Sequence, residues 1–398
     1  MCQAEFIEAL LCLCGLKMKI IQICAAYKPA YVYGGPTMSV SKLSEELVKA
    51  GHDVTVLATT ANGKEELAVQ TGKAQLVDGV PVYYFKRWTK DHTHFSPALF
   101  WFLHKEIKKA KTQNTKLIIH IHAWWNLVSI FSCWIAKLHG VKVVLSPRGM
   151  LTNYSLNNRN SKSKDAIHSL LGKNLLKYCH IHATSTKEQR DVQQTSEVKG
   201  ISVVPNFVRF PQENRINRQP SDVYKLLFLS RIEEKKGLEL LFEALAKVTI
   251  PYQLNIAGTG ETDYIQSLQS LAAKLNIQPH IQWLGHVGNN EKFEMLAQQD
   301  LLVLTSYNEN FANVVVESLA MGTPVLVSEQ VGLADYVSTK NLGWVTSLIP
   351  AEISKMITIS FAENDKRQNI NSSAPSLIRE DFNVQKLAAQ YADMYHLI

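Results

Sequence analysis

The stretch Thr305–Val325, TSYNENFANVVVESLAMGTPV, links two predicted strands through a polar loop and a helix. The apolar run 300–305 predicts a buried strand, and a helix is expected over 312–321. Gly322 ends this helix, and the next strand is predicted at 324–328. A strand, a helix and a second strand in close succession are typical of a parallel sheet covered by helices.

The same alternation continues along the chain. Strands are predicted at 19–26, 53–59, 81–87, 117–123, 141–147 and 180–185, and then at 225–230, 252–257, 281–284, 300–305, 324–328 and 344–346. Helices are predicted between most of them. The sequence therefore predicts an α/β protein of two doubly wound, Rossmann-like domains that face each other across a cleft.

A polar segment separates the two halves. Residues 211–221, PQENRINRQPS, contain two prolines and few apolar side chains, which is typical of a linker. We therefore expect one domain at 18–210, a second at 222–380, and a C-terminal helix at 381–398 that packs back on the body. Residues 1–17 are predicted to be an extension outside the fold, with a short membrane-touching helix as the alternative.

Length and composition exclude several protein classes. The 398 residues are 46% hydrophobic and 19% charged, which excludes global disorder and suggests two domains. The six cysteines form no C-x-x-C pair, so they indicate a reducing compartment rather than a disulfide framework. We expect a cytoplasmic protein.

Charge is distributed unevenly along the chain. Residues 1–205 contain 26 Lys and Arg against 14 Asp and Glu, whereas residues 206–398 contain 16 against 21. A basic first half indicates an anionic partner, such as a membrane surface or an acidic substrate. Nucleic acid is not predicted, because no nucleic-acid-binding motif accompanies the charge.

One helix of the first half combines aromatic and basic residues. In Pro97–Lys111, Phe100, Trp101, Leu103 and Ile107 form an apolar surface, and lysines occupy positions 105, 108, 109 and 111. This pattern predicts peripheral binding to an anionic membrane, on the inner face of the cytoplasmic membrane. The alternative is a helix that buries its aromatic residues against the sheet and merely solvates its lysines.

The quoted stretch places charged groups at the carboxyl end of a strand. Glu309 lies in the polar loop, and Asn313 and Glu317 are one turn apart on one helix face. The N–H groups of a helix start bind anions such as phosphate, and nearby carboxylates suit the hydroxyls of a sugar and a ribose. Alternatively, Glu309 is a solvated loop residue and Glu317 a charge on the helix surface.

A basic segment, SRIEEKKG, follows the predicted strand 225–230. Arg231 and Lys236 lie at the carboxyl end of this strand, where both can bind a diphosphate. The alternative is a basic loop that pairs with Glu233 and Glu234.

A glycine pair follows the first predicted strand in the motif YGGP, Tyr33–Pro36. Glycine at a strand-to-helix turn allows backbone N–H groups, here that of Gly35, to approach a phosphate. The motif is not G-x-G-x-x-G, so a dinucleotide site is not predicted.

Histidines end two strands of the first half. His122, the last residue of its strand, is predicted to make a polar contact in the cleft, and His120 to be a satisfied histidine of the core or sheet edge. Arg148, in the segment SPRGM, is predicted at the cleft rim. His180 and His182 repeat the string HIHA, but neither pair has an acidic or Cys ligand, and no D-x-D triplet occurs. We therefore predict no metal site.

Together these motifs resemble the retaining nucleotide-sugar glycosyltransferases of the GT-B fold, specifically glycosyltransferase family 4, over about residues 18–398. The paired-glutamate, Arg…Lys-Gly, glycine-turn and strand-end-histidine motifs correspond to Glu309 and Glu317, Arg231 and Lys236-Gly237, Gly34-Gly35, and His122. The segment SPRGM looks like family members that build bacterial surface polysaccharides. Two departures are Ala312, where many members have Gly, and Asp335, where many have Glu.

The resemblance implies roles for these residues. The donor diphosphate would be bound by Gly35, Arg231, Lys236, Asn313 and Val314. Glu309 would contact the donor sugar and act in catalysis with His122, and Glu317 would bind the ribose. Arg148 would lie at the acceptor or the rim. The first domain would then be the acceptor side and the second the donor domain.

The expected function is transfer of a sugar, with retention, from a nucleotide-diphosphate sugar to a glycan or lipid-linked acceptor. No cofactor and no metal are expected. Two alternatives remain, a nucleotide-sugar 2-epimerase and a non-catalytic nucleotide-sugar-binding protein. The motifs do not specify the base, the sugar, the acceptor or the linkage.

Overall fold

The computed structural model describes residues 18–152, 154–155, 172–211, 222–288 and 291–398. The predicted extension, 1–17, lies outside the described residues, and so does the predicted linker apart from Pro211.

Packing divides the chain into two units. The first comprises the described residues up to Ala183, together with Asp191–Val204 and Val384–Ile398. The second comprises Thr184–Arg190 and the described part of Pro205–Asn383. The main change of unit, after Val204, thus comes shortly before the boundary predicted at residue 210, and the last helix belongs to the first unit.

The first unit is built on an eight-stranded sheet in the order β10-β9-β8-β7-β1-β2-β6-β5. Its strands are β1 Lys19–Cys24, β2 Asp53–Thr59, β5 Ala74–Val77, β6 Val80–Phe85, β7 Leu117–His122, β8 Lys142–Ser146, β9 His180–Ala183 and β10 Gly200–Val203, and a small hairpin pairs β3 Ala61–Asn62 with β4 Glu65–Glu66. Pairing is parallel except at the edge, where β5 runs antiparallel to β6.

The inner strands of this sheet are buried on both faces. In β1, KIIQIC, and β7, LIIHIH, nearly every side chain is buried, because helices cover both sides. The helices are α1 Gly35–Lys49, α2 Pro97–Thr112, α3 Leu127–Leu138, α4 Lys173–Leu176, α5 Thr186–Thr195 and, from the end of the chain, α13 Val384–Leu397. Helix α5 is divided between the units: its residues up to Arg190 belong to the second unit and those from Asp191 to the first.

The second unit has a six-stranded parallel sheet in the order β13-β12-β11-β14-β15-β16. Its strands are β11 Tyr224–Leu229, β12 Tyr252–Ala257, β13 Ile281–Gly285, β14 Leu301–Leu304, β15 Val325–Ser328 and β16 Gly343–Thr346. Its helices are α6 Leu238–Leu245, α7 Thr262–Lys274, α8 Glu291–Ala297, α9 Asn313–Ala320, α10 Ala334–Thr339, α11 Pro350–Ala362 and α12 Asn364–Asp381. The two sheets confirm the predicted pair of Rossmann-like α/β domains.

Strand order reverses once in each sheet, between β1 and β7 and between β11 and β14. Open α/β sheets bind ligands outside the carboxyl ends of the strands at such a reversal. In the second unit the segments after β11 and β14 carry the predicted basic and acidic residues. In the first unit β8, β7 and β1 are neighbours. Arg148 follows β8, His122 ends β7, and Gly35 opens the helix after β1.

Several elements were not predicted. Helix α12 is polar, contains Pro375, and buries only Ile370, Ala374 and Ile378. The edge strands β5 and β10 and the short helix α10 were also missed. Among the described helices, none is long and apolar enough to cross a membrane.

Candidate functional site

The basic segment after β11 forms a tight turn at the carboxyl end of the sheet. A 3-10 turn, Glu234–Lys236, ends at Gly237, whose φ of 64° lies in the left-handed region. A Cβ atom at Gly237 would lie 2.2 Å from the carbonyl oxygen of Thr305, which follows β14. Only glycine allows this close approach, which fixes Lys236 beside the segment that leads to Glu309.

Lys236 and Glu309 form an ion pair. The Lys236 ammonium is buried and donates a hydrogen bond to Oε2 of Glu309. Burial works to raise the pKa of the Glu309 carboxyl, but the charge and hydrogen bond of Lys236 outweigh it and leave that pKa below its usual value. Glu309 is therefore ionised at neutral pH.

The backbone of Glu309 is held as firmly as its side chain. Its N–H donates to the carbonyl oxygen of Gln330 at 3.2 Å, and its carbonyl accepts from the N–H of Gly332 at 2.7 Å. The Glu309 side chain is only 20% exposed. The alternative interpretation as a solvated loop residue is therefore wrong.

Arg231 is more exposed than Lys236. Its side chain is 43% exposed, and Nη1 lies 2.6 Å from a carboxylate oxygen of Glu233. The pairing with Glu233 that the sequence left open is therefore present. A guanidinium has five N–H donors, so this contact leaves donors for another anion.

Helix α9 begins beside Glu309. Asn313 and Val314 form its first turn, where N–H groups have no carbonyl partner within the helix. The Asn313 side-chain oxygen accepts from Nδ2 of Asn206 at 3.4 Å. The positive end of the helix dipole thus lies at the same carboxyl edge as Lys236.

Ala312, one of the two departures from the family pattern, has a backbone conformation that favours glycine. Ala312 precedes α9 with φ of 68° and ψ of 74°, a left-handed conformation that costs a residue with a Cβ atom about 1–2 kcal/mol. We expect Ala312→Gly to raise the free energy of unfolding by about 1 kcal/mol, measured by urea denaturation. Ala334→Gly, in helix α10, provides the opposite control and should destabilise by a similar amount. A destabilised Ala312→Gly variant would contradict this interpretation.

Glu317 is paired within its own unit. Its carboxylate accepts a hydrogen bond from Lys292 of α8 at 2.7 Å, and both side chains are mostly buried. The alternative of a solvated surface charge is wrong. One carboxylate oxygen accepts from Lys292, and the carboxylate has further acceptor capacity on the other.

Gly35 opens helix α1 after the exposed turn Tyr31–Tyr33. The preceding Gly34 has φ of 62°, whereas Gly35 has no positive φ. A side chain at Gly35 would have room, because a Cβ atom there would meet no atom within 4 Å. The conformational need for glycine thus lies at Gly34, and open space surrounds Gly35.

His122 is buried rather than presented to a ligand. Its Nε2 donates to Oε1 of Gln22, and its Nδ1 accepts from Nη2 of Arg148 at 3.3 Å. Burial, with the nearby His120 and the Arg148 charge, holds the pKa of His122 well below its usual value. The ring is neutral, and the expectation of a directly cleft-facing His122 needs correction, because both ring nitrogens already have protein partners. Arg148 is half-buried, and its guanidinium lies against the His122 ring.

The repeated HIHA strings form one directional hydrogen-bond chain. Nε2 of His182 lies 2.8 Å from the Val204 carbonyl, which can only accept, so Nε2 carries the proton. Nδ1 of His182 then accepts from Ser146 at 2.6 Å, and Ser146 accepts from Nε2 of His120 at 2.7 Å. Tyr395 completes the chain by donating to Nδ1 of His120 at 2.7 Å.

This chain confirms that His120 is a satisfied core histidine. Among the described residues, no group of three or more His, Cys, Asp or Glu side chains is placed to bind a metal.

The buried histidines predict acid sensitivity. Burial lowers the pKa of His182 to about 3 and that of His120 in the same direction. Unfolded histidine titrates near pH 6.5, so below that pH the unfolded chain binds protons that the folded chain does not. We expect the free energy of unfolding to fall by up to about 1.4 kcal/mol per pH unit for each such histidine.

Urea midpoints at pH 7.5, 6.5, 5.5 and 5.0 test this expectation. The lowered pKa of Glu309 acts only below about pH 4.5, so this range reports on histidine. A stability that is constant from pH 7.5 to pH 5.0 would contradict the described histidine chain.

The predicted site residues thus form two groups. In the second unit, Arg231, Lys236, Glu309 and the start of α9 meet at the carboxyl ends of β11 and β14. In the first unit, His122 and Arg148 are in contact and Gly35 follows the neighbouring strand. Sequence reasoning missed Gln22, Ser146 and Tyr395, whose partners lie far away in the chain.

Both halves of the chain match models of glycosyltransferases. Residues 33–210 match the model described as Glycosyltransferase Family 4, and residues 210–376 match Glycosyl transferases group 1.

Relatives and solved structures match over nearly the whole chain. An uncharacterized glycosyltransferase of Methanocaldococcus jannaschii, MJ1607, is 24% identical over 96% of this chain and 98% of its own. A glycogen synthase of Mycobacterium tuberculosis is 25% identical over 95% and 94%. The structure of Anabaena Alr3699/HepE in complex with UDP has a TM-score of 0.71 at 17% identity and covers 96% of this chain and 100% of that one. The predicted GT-B fold class is confirmed.

Proposed function

We propose that the chain is a glycosyltransferase that transfers a sugar from a nucleotide-diphosphate sugar to a glycan or lipid-linked acceptor with retention of configuration. The match of residues 33–210 and 210–376 to two glycosyltransferase models supports this activity. The UDP complex of the similar Anabaena protein supports a donor of this class. The segment SPRGM, which looks like family members that build bacterial surface polysaccharides, supports a role in their synthesis. We assign this role to the cytoplasm, because the cysteine pattern indicates a reducing compartment.

The observation that carries this proposal is the cationic edge of the second unit. Lys236, Arg231 and the start of α9 converge where β11 and β14 end, at the strand-order reversal. Departure of a nucleoside diphosphate concentrates negative charge on its leaving oxygen. Preorganised cations and helix N–H groups stabilise that charge in the transition state.

Glu309 has a positioning role in this proposal as well as a binding role. Its ion pair fixes the Lys236 ammonium, and the second carboxylate oxygen can accept a hydrogen bond from a hydroxyl of the donor sugar. Glu317, held by Lys292, would accept from the ribose. Asn313 and Val314 would donate backbone N–H groups to the diphosphate. A phosphate contact of the Gly35 N–H is proposed from the family resemblance.

His122 and Arg148 are assigned to the acceptor side. Because the His122 ring is neutral and hydrogen-bonded at both nitrogens, it orients Arg148 rather than acting as a free base. Retention is then best served by front-face attack. The leaving phosphate takes the proton of the acceptor hydroxyl, the new glycosidic bond forms, and the bond from the sugar to the phosphate breaks.

A donor panel tests the proposed function. The protein is incubated with nucleotide sugars, with and without glycan and lipid-linked acceptors, and products are analysed by mass spectrometry and by NMR of the anomeric proton. Transfer that needs an acceptor and retains configuration is expected. Turnover of the nucleotide sugar without acceptor would identify an epimerase, and binding without turnover a non-catalytic protein.

We expect activity to survive chelation of divalent metals, because Arg231, Lys236 and the α9 dipole supply the positive charge at the diphosphate. Turnover measured with EDTA should stay within about twofold of the untreated rate. Complete loss, with recovery on addition of magnesium or manganese, would show that a metal ion binds the donor.

A further inference from the structure

The first unit exposes three tryptophan side chains and a leucine. Trp88, Trp101 and Trp134 are 77%, 60% and 43% exposed, and Leu138 is 67% exposed. Large apolar side chains grouped on a surface mark an interaction site, whereas scattered ones do not. We call Trp88, Trp101, Trp134 and Leu138 the tryptophan face.

Ring contacts connect Trp88 to Trp134 through phenylalanines. Trp88 contacts Phe95 with 6.1 Å between ring centroids, Phe95 contacts Phe131 at 5.7 Å, and Phe131 contacts Trp134 at 6.2 Å. Phe100, which precedes Trp101, contacts both Phe95 and Phe131 at 5.5 Å. Half-buried phenylalanines thus lie against Trp88 and Trp134 and link the two.

Helices α2 and α3 present Trp101, Trp134 and Leu138 away from the core. Leu103 and Ile107 of α2 are completely buried, so the alternative interpretation holds for them, and they do not form part of an exposed surface. Trp101 lies on the outer side of α2. On α3, Trp134 and Leu138 are one turn apart on its outer side.

The surroundings of the tryptophan face are strongly basic. Residues 86–112 contain six lysines and one arginine against two acidic residues, Asp91 and Glu106. Nζ of Lys105 lies 3.4 Å from the centroid of the Trp101 ring, and Lys137 is exposed beside Trp134 on α3. Lys108, Lys109 and Lys111 are also exposed.

We propose that the tryptophan face and its lysines bind the surface of an anionic lipid bilayer. Indole rings favour the boundary between water and acyl chains, and lysines are attracted to anionic headgroups. A neutral glycan could stack on the tryptophans but would gain nothing from the lysines. A second copy of this face would meet it with like charge.

This inference rests on the proposed function and deepens it. A lipid-linked acceptor is confined to the membrane, and a bound bilayer surface brings the enzyme to it. The lysines provide long-range attraction that salt screens, and the tryptophans provide a contact that salt does not weaken.

Flotation with vesicles tests the proposal. The full chain is mixed with phosphatidylcholine vesicles, with or without 30% phosphatidylglycerol, at about 50 and 500 mM salt. We expect binding only to the anionic vesicles, with at least fivefold less bound at high salt. Equal binding to both vesicles, or no binding at low salt, would overturn the proposal.

Two sets of variants assign the contact to this face. W88S/W101S/W134S and K105Q/K108Q/K109Q should each weaken vesicle binding at least tenfold. The matched controls are I349S, an exposed apolar residue of the second unit, and K247Q/K274Q/K355Q, three exposed lysines there, and both should bind as the wild type does. Melting temperatures verify folding of every variant. Wild-type binding by the tryptophan variant, or tryptophan-dependent binding to a neutral polysaccharide instead of vesicles, would refute the membrane assignment.

Donor binding separates this proposal from the proposed function. The tryptophan variant should bind nucleoside diphosphates normally, whereas Lys236→Ala should lose them and still float with anionic vesicles. Failure of vesicle binding with intact donor turnover would refute only the membrane face.

Discussion

Replacing Lys236 with alanine should lower kcat/KM for the donor by about 10- to 150-fold. This range corresponds to about 1.5–3 kcal/mol, the usual contribution of a hydrogen bond to a charged group. The close approach of Gly237 to Thr305 fixes the turn that carries Lys236, and Glu309 pairs with its ammonium, so the charge is preorganised for the diphosphate. Arg231→Ala should show a smaller loss, because that side chain is half-exposed.

The effect on folding must be measured separately. Lys236→Ala leaves the mostly buried Glu309 carboxylate without its partner, which destabilises the folded chain. Donor affinity by calorimetry and turnover are therefore measured at a temperature at which the melting curve of the variant shows it to be folded. The double variant K236A/E309Q removes both charges and should recover stability but not turnover.

Lys235→Ala is the matched control for charge. The side chain is adjacent, carries the same charge and lies 3.9 Å from Glu233, outside hydrogen-bond distance. We expect kcat/KM within about threefold of the wild type. Unchanged donor affinity and turnover in Lys236→Ala would exclude Lys236 from the diphosphate site.

Gly237→Ala should be among the most destabilising substitutions in the second unit. A left-handed φ costs alanine about 1–2 kcal/mol, and the Cβ atom would overlap the Thr305 carbonyl, which adds about 1–3 kcal/mol. The strain is relieved by moving the turn away from β14. Lys236 moves with it, so donor affinity should fall together with stability.

Gly285→Ala separates the two contributions. Gly285 has nearly the same φ, 66°, but a Cβ atom at this position would meet no atom within 4 Å. This variant should lose only the conformational contribution of about 1–2 kcal/mol and keep normal donor binding. Equal destabilisation of the two variants in urea would show that contact with Thr305 does not constrain the turn.

The strands were predictable because strands buried on both faces are continuous apolar runs. β1, β7 and β14 lie within two residues of their predicted ranges for this reason. Helix α12 was not predictable, because its buried residues Ile370, Ala374 and Ile378 are separated by mostly polar residues. Pro375 also lies inside the helix, where proline is normally unfavourable.

The site was predictable as far as sheet topology determines it. Residues that follow neighbouring parallel strands must meet, so Arg231, Lys236 and Glu309 could be grouped from their positions. The burial of Glu309 depends on hydrogen bonds to Gln330 and Gly332, and nothing near Glu309 indicates that the later loop docks there.

The hydrogen-bond partners of His122 could not be predicted from the residues near it in the sequence either. Its partner Gln22 lies on β1, and the neighbouring His120 is completed by Tyr395 near the end of the chain. Such pairings depend on which elements pack together. A strand-end histidine therefore predicts a polar environment without predicting whether the ring is free or satisfied.

The position of α13 in the first unit determines the order in which the protein can fold during synthesis. Tyr391, Met394 and Tyr395 fill the core of that unit, and Tyr395 ends its histidine chain. A ribosome adds about 5–20 residues per second, so α13 emerges about 10–40 s after Val204. The second unit is complete before it. The first unit is therefore translated first but completes its core last. Until α13 is added, this incomplete core is exposed to aggregation on the ribosome.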